Sequence, residues 1–144
     1  MSRYNTILNQ VFRKLGKQVT RDDQLTKYGK ISLGTSYIGT FSQDHPLRQL
    51  TGKRKYFIIN VDKSNKPGSH WVSVFYSGTK FYIYDSFGRR SSKLLPHFIK
   101  TIGYKYADAD YDAEQKVKQN SCGQRSLAWL LFVHRYGIQQ AMKI

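Results

Sequence analysis

The sequence predicts an α+β chain, in which helices precede and follow a group of antiparallel strands. Three observations carry this expectation: an early segment with helical periodicity, a central region rich in β-branched and aromatic residues, and a late apolar run typical of a buried helix. The length of 144 residues is about that of one domain with its own core. No repeat or linker divides the chain, so we expect one domain over residues 1–144.

The first predicted helix has one apolar face, made of Ile7, Leu8, Val11, Phe12 and Leu15. Gly16 follows that face as a stop signal. A second, short helix is expected to begin near Thr20, because Thr20 and Asp23 have the spacing of a capping box. Residues 34–50 contain glycine and proline and are typical of a loop.

The centre of the chain predicts strands over residues 56–61, 70–76 and 81–85, with a loop over 62–68. Only four residues, 77–80, link the last two strands, which indicates an antiparallel hairpin. Residues 91–102 have a helical pattern that Pro96 disturbs, and residues 104–107 predict another strand.

The last predicted helix spans residues 124–135, whose apolar side chains cover nearly its whole circumference. Ser121 and Gln124 match the Ser-x-x-Gln capping box, which places Cys122 at the first helical position. Unpaired N–H groups and the helix dipole stabilise a thiolate there, and Gly123 is expected to leave open space beside the sulfur. The alternative is that Cys122 is a small buried core residue.

The hairpin predicts a partner for this cysteine. If the turn centres on Gly78 and Thr79, Val72 faces Asp85, and His70 becomes the diagonal neighbour of Asp85 on one face of the sheet. Such neighbours lie about 7–8 Å apart between α-carbons, within reach of an imidazole and a carboxylate. The carboxylate can fix the imidazole tautomer. Alternatively, His70 is a surface histidine and Asp85 a residue of the turn.

A nucleophilic cysteine also needs a donor for the oxyanion of its tetrahedral intermediate. Gln115 and Gln119 precede Cys122 and carry suitable amides, although either can instead be a solvated loop residue.

The single cysteine excludes an intrachain disulfide and fits a reducing compartment, and no signal segment or membrane span is evident. One cysteine and four scattered histidines give no zinc-site spacing, so we expect no metal.

The formal net charge of +15 favours a polyanionic partner, most simply nucleic acid. Candidate contacts are the clusters Lys53-Arg54-Lys55 and Arg89-Arg90. No base-reading motif accompanies them, so binding is expected through phosphates and without sequence preference. The alternative is a charged surface that only keeps the protein in solution.

Together these residues resemble the adenovirus maturation-protease (adenain) family. The matching features are His70-Trp71, the segment 82–88 around Asp85, Gln115, Cys122-Gly123 ahead of an apolar helix, and the segment 37–46. Relatives in large DNA viruses, virophages and Polinton (Maverick) elements share this order, and the proteases for SUMO and ubiquitin-like proteins share it more distantly. The resemblance implies an α+β fold, with a central antiparallel sheet packed against a buried helix that carries the catalytic cysteine at its N-terminus.

The resemblance also implies residue roles. Cys122 would be the nucleophile, His70 its general base, and Asp85 the orienting acid where adenovirus enzymes carry Glu. Gln115, seven residues before Cys122, would be the oxyanion donor, although a shorter loop would give that role to Gln119. Trp71 would pack beside the site.

The function implied is cleavage of capsid or core protein precursors during particle maturation, by a monomer in the virion, host cytoplasm or nucleus. DNA remains a possible activating polyanion, whereas a disulfide-linked activating peptide is excluded because the chain lacks a second cysteine. Two alternatives stay open: a deconjugating protease for a ubiquitin-like modifier, and a non-enzymatic basic DNA-binding protein.

Overall fold

The computed structural model describes residues 2–45, 50, 52–62, 70–103, 105–109 and 120–144. Within these residues the helices are α1 (Arg3–Leu15), α2 (Asp22–Leu33), α3 (Ser91–Leu94), α4 (Pro96–Ile102), α5 (Cys122–Tyr136) and α6 (Ile138–Ala141). The strands are β1 (Tyr37–Ser42), β2 (Lys55–Asn60), β3 (Trp71–Tyr76), β4 (Phe81–Tyr84) and β5 (Tyr106–Asp108). A short 3-10 turn, Gly34–Ser36, joins α2 to β1.

The five strands form one sheet in the order β1-β2-β3-β4-β5. The central pairs, β2 with β3 and β3 with β4, are antiparallel, while the outer pairs are parallel. The α+β class is therefore confirmed, with a sheet that is antiparallel at its centre and parallel at both edges. The predicted hairpin register is also confirmed, since Tyr76 pairs with Phe81 and Ser73 with Tyr84.

The prediction of a loop over residues 34–50 is wrong, because β1 lies within it. Gly39 is typical of a loop, but here it marks an irregularity in the strand, where the pairing with β2 shifts register between Tyr37 and Gly39. Gly39 has φ 145°, and a Cβ there would lie 2.6 Å from the ring of Phe41. A glycine in a strand can thus signal a bulge as well as a loop.

The start of the second helix also differs from the prediction. Helix α2 begins at Asp22 and has twelve residues, so it is not short. The side chain of Gln24 accepts a hydrogen bond from the backbone N–H of Arg21 at 2.9 Å, and this closes the first turn. Thr20 is therefore not the capping residue. It belongs to the α1–α2 linker, which we define as residues 16–21, and its side chain is buried.

Helices cover both faces of the sheet. Alternate residues of β2 show this: Tyr56 and Ile58 pack in the cluster that contains α1 and α5, whereas Phe57 and Ile59 pack with Leu95 and Phe98. Helix α5 is buried between the sheet and the helices α1 and α2, as its apolar circumference predicted. Pro96 separates α3 from α4 because it occupies the first position of the second helix.

Candidate active site

The ends of three elements meet at one end of the sheet. His70 immediately precedes β3, Asp85 immediately follows β4, and Cys122 is the first residue of α5. Because β3 and β4 are antiparallel, the start of one strand lies beside the end of the other. The buried helix α5 packs on this sheet and brings Cys122 to the same place, where its sulfur lies 3.4 Å from the backbone nitrogen of Trp71.

His70 and Asp85 are hydrogen-bonded to each other. Nε2 of His70 contacts Oδ1 of Asp85, and both residues are buried. The predicted diagonal register therefore places the imidazole against the carboxylate. Because Nε2 is taken by Asp85, Nδ1 is the ring nitrogen left to interact with Cys122, and this interaction acts to raise the pKa of His70 and to lower that of the thiol.

The second oxygen of Asp85 is held by Arg89. The backbone N–H of Arg89 donates to Oδ2 at 2.9 Å and its Nε donates to the same oxygen at 3.1 Å. The guanidinium also lies over the ring of Phe87, 4.9 Å from the ring centroid, and that ring contacts the imidazole of His70. The charge pattern of the sequence indicated Arg89 only as a nucleic-acid contact. The role of Arg89 at Asp85 had one signal in the sequence: an arginine lies four residues after an aspartate that begins a turn.

The hydrogen bonds of the site favour the charged form of each group. Burial is the largest single influence, and it acts to lower the pKa of His70 and to raise the pKa values of Asp85 and Cys122. The hydrogen bonds and charges of the three residues outweigh burial. The pKa of His70 is therefore raised, and the pKa values of Asp85 and Cys122 are lowered. This arrangement supports a thiolate–imidazolium pair.

Gly123 was expected to leave open space beside the sulfur, and the position that a side chain of residue 123 would take is already occupied. A Cβ on Gly123 would lie 1.9 Å from Oγ1 of Thr20 and 3.2 Å from the indole of Trp71. The α1–α2 linker therefore packs directly against the start of α5, and glycine at position 123 allows that close approach.

The predicted capping box of α5 is also wrong, although α5 does begin at Cys122. Ser121 makes no side-chain capping hydrogen bond, and its Oγ instead accepts one from Nε of Arg125 at 2.9 Å. Gln124 points to the α1–α2 linker, where its Nε2 donates to the carbonyl of Gly16 at 2.9 Å and that of Gln18 at 2.7 Å. Tertiary contacts replaced the local bond pattern that the spacing suggested.

Gln115 and Gln119, the two candidates for the oxyanion donor, lie outside the described residues. Two of the other histidines have aromatic neighbours: His134 lies beside Tyr56, and His45 stacks on Phe41. Among the described residues no group of three or more His, Cys, Asp or Glu side chains could hold a metal ion. In the same part of the chain, no helix has both the length and the apolar character needed to cross a membrane.

A cavity of about 430 Å³ lies elsewhere, between the start of α1, Phe132 of α5 and Ile144. It contains neither Cys122, His70 nor Asp85, so it is not part of the site.

Four of the basic residues singled out in the sequence are exposed, namely Lys53, Arg54, Arg89 and Arg90.

Comparison with known proteins adds no assignment: no family model matches this chain, and a search of curated proteins finds no match. What the site does is therefore inferred from the geometry of Cys122, His70 and Asp85.

Proposed function

We propose that this protein is a cysteine endopeptidase that cleaves peptide bonds by acyl transfer to Cys122. The observation that supports the proposal is the buried, hydrogen-bonded pair Asp85–His70 next to Cys122, with the thiol at the first position of α5 and its pKa lowered by His70. A structural cysteine in an apolar core has no need of a histidine that is itself oriented by a carboxylate. Nucleophile, base and orienting acid are the parts that thiol proteolysis requires.

In the proposed reaction, the thiolate of Cys122 attacks the carbonyl carbon of the scissile bond. The tetrahedral intermediate collapses to a thioester as the imidazolium of His70 gives its proton to the leaving amine. His70 then takes a proton from water, the resulting hydroxide attacks the thioester, and Cys122 is released. Asp85 remains ionised throughout and holds the imidazole in place.

The oxyanion of the intermediate needs hydrogen-bond donors at the start of α5. The backbone N–H of Cys122 is a suitable donor because the first N–H groups of a helix have no partner within that helix. A side-chain amide would supply the second donor, and Gln115 and Gln119 are the two candidates.

We further propose, from the resemblance to the adenovirus maturation-protease family, that the substrates are capsid or core protein precursors. The protein would act in the virion, or in the host cytoplasm or nucleus, without a metal. The net charge of +15 would bring it to DNA, either as an activator or as a track to substrates packed with the genome.

The test is cleavage of the major capsid precursor from the same genome, with and without DNA, by the wild type and by Cys122→Ala. We expect specific fragments with the wild type only, and a faster reaction when DNA is present. No fragments under either condition, together with an unreactive Cys122, would reject the protease.

The charge supports a second candidate function, that of a non-enzymatic nucleic-acid-binding protein. Lys53 and Arg54 are exposed and belong to an excess of 24 basic over 9 acidic residues. This candidate predicts the same DNA affinity for the wild type and Cys122→Ala, and no cleavage by either.

A modifier-aldehyde probe that labels Cys122 would instead favour a deconjugating protease.

A further inference from the structure

Trp71 is held at three points around the proposed nucleophile. Its backbone N–H donates to Sγ of Cys122 at 3.4 Å, and its backbone carbonyl accepts a hydrogen bond from Oγ of Ser126 at 3.0 Å. Its indole N–H donates to the carbonyl of Thr20 at 3.3 Å. Cys122 and Ser126 are four residues apart in α5 and thus lie on the same side of the helix. Helix α5 therefore bonds to both backbone groups of Trp71, to its N–H through Cys122 and to its carbonyl through Ser126.

We propose that Ser126 is a positioning residue, which fixes the backbone N–H of Trp71 against the sulfur of Cys122 and so stabilises the thiolate. Ser126 is fully buried and Trp71 is 7% exposed, so water does not compete for these bonds. A hydrogen bond to an anion strengthens in such surroundings. The inference rests on the proposed function because it assigns Ser126 to the same nucleophile.

The charged groups around Cys122 do not depend on Ser126. His70 acts to lower the pKa of the thiol, Asp85 is hydrogen-bonded to His70, and Arg89 is hydrogen-bonded to Asp85. The α1–α2 linker meets the start of α5 through Thr20 and through the carbonyls of Gly16 and Gln18, none of which carries a charge. Arg125 of α5 is charged, and its Nε donates to Oγ of Ser121, not to Ser126. A change in the thiol titration on removal of the Ser126 hydroxyl would therefore report on the Trp71 amide.

The first experiment measures the rate of iodoacetamide labelling of Cys122 against pH in the wild type, Ser126→Ala and Ser73→Ala. Ser73 is the matched control, since it is equally buried and its hydroxyl has no hydrogen-bond partner among the described residues. For Ser126→Ala we expect the midpoint of the acid limb to rise by about half to one pH unit, which is a loss of about 3–10-fold in rate below the midpoint. Ser73→Ala should keep the wild-type midpoint. An unchanged midpoint in folded Ser126→Ala would overturn the proposal.

A second experiment uses the wild type and can overturn the inference even if Ser126→Ala does not fold, because it tests the bond that Ser126 is proposed to position. The amide proton of Trp71 is followed by ¹⁵N–¹H NMR as Cys122 titrates. A direct N–H···S⁻ bond predicts a larger downfield shift for Trp71 than for Val72 or Ser73, with the midpoint found by labelling. Equal shifts for the three amides would overturn the inference.

Neither readout needs a peptide substrate. The protease function and the role of Ser126 can therefore be rejected independently of each other. Absence of precursor cleavage with the expected titrations would reject the protease function and keep the role of Ser126. Normal cleavage with an unchanged midpoint in Ser126→Ala would reject only the role of Ser126.

Discussion

At the scale of single residues, the site is a set of buried titratable groups, and each favours the charged form of the next. His70, Asp85 and Cys122 each lose hydration, and the charged form of each is stabilised by its interaction with the next. Arg89 completes the series, because it donates twice to the carboxylate oxygen that His70 does not use. Removing one member should therefore affect its neighbours through their pKa values as well as through the missing hydrogen bond.

The two residues beside the nucleophile should differ in how much activity their removal costs. His70→Ala removes the group that transfers protons, so we expect kcat/KM to fall by at least the roughly 10²–10⁴-fold that general acid–base catalysis contributes. Asp85→Asn keeps the shape but not the charge, and its amide oxygen can still accept a hydrogen bond from Nε2 of an imidazolium, so its effect should be at least about tenfold smaller. Steady-state cleavage of a precursor peptide measures both, and an equal fall in the two variants would indicate a structural role for Asp85.

The pH dependence of kcat/KM should be bell-shaped. The acid limb follows deprotonation of Cys122, whose pKa is lowered, and the alkaline limb follows deprotonation of His70, whose pKa is raised. Because the carboxylate of Asp85 acts to raise the pKa of His70, Asp85→Asn should move the alkaline limb to lower pH. Initial rates in a constant-ionic-strength buffer series provide the test. An alkaline limb that stays in place, or moves upward, would contradict the assigned role of Asp85.

At the scale of elements, the cysteine helix is positioned by the α1–α2 linker. Gln124 binds two carbonyls of that linker, and the indole of Trp71 binds a third. Thr20 lies against the backbone of Gly123, so the linker and the start of α5 meet with no room for a side chain. The linker thus fixes where α5 begins relative to His70.

Gly123→Ala should destabilise the protein because its new methyl group would overlap the hydroxyl of Thr20. We expect a decrease of roughly 1–3 kcal/mol in the free energy of unfolding, the usual cost of overpacking. Thr20→Ala removes the overlapping atom and leaves a contact of 3.2 Å to the Cβ of residue 20, so the double variant should recover most of this decrease. Urea denaturation of the wild type, both single variants and the double variant measures the coupling. Strictly additive effects would show that the two residues do not meet in solution.

At the scale of the whole molecule, the charge and the site are properties of one chain of 144 residues. The sheet carries helices on both faces, and its antiparallel centre supplies both His70 and Asp85. Exposed basic residues lie on the same chain at positions such as Lys53 and Arg90. With a net charge of +15, attraction to a polyanion acts on the molecule as a whole.

Binding to duplex DNA should be insensitive to base sequence and steeply weakened by salt. If six to ten phosphates are neutralised, affinity falls by about 10³–10⁵ between 50 and 200 mM salt. Lys53→Gln with Arg54→Asn should lower the slope of log K against log salt by about one for each phosphate that these side chains neutralise in the wild type. Asn suits position 54 because its φ is 49°. Fluorescence anisotropy with two unrelated duplexes provides the measurement, and a strong preference for one of them would contradict phosphate-only binding.

The sequence by itself determined the elements whose signals are local. Helical spacing predicted α1, an apolar circumference predicted α5 and its burial, and a four-residue link predicted the register of β3 with β4. That register was enough to predict that His70 and Asp85 lie together, because a hairpin brings residues close in sequence into fixed positions.

Tertiary structure alone decided the contacts between distant segments. Three such contacts leave no periodic signal in the sequence. They are the parallel pairing of β1 with β2, the packing of Thr20 on Gly123, and the two hydrogen bonds from Gln124 to residues more than 100 positions earlier. The capping box of Ser121 and Gln124 failed for the same reason, since a buried amide bonds to the carbonyls that packing brings to it. Spacing along the chain fixes local geometry, whereas the partners of a buried polar group depend on which segments the folded core places beside it.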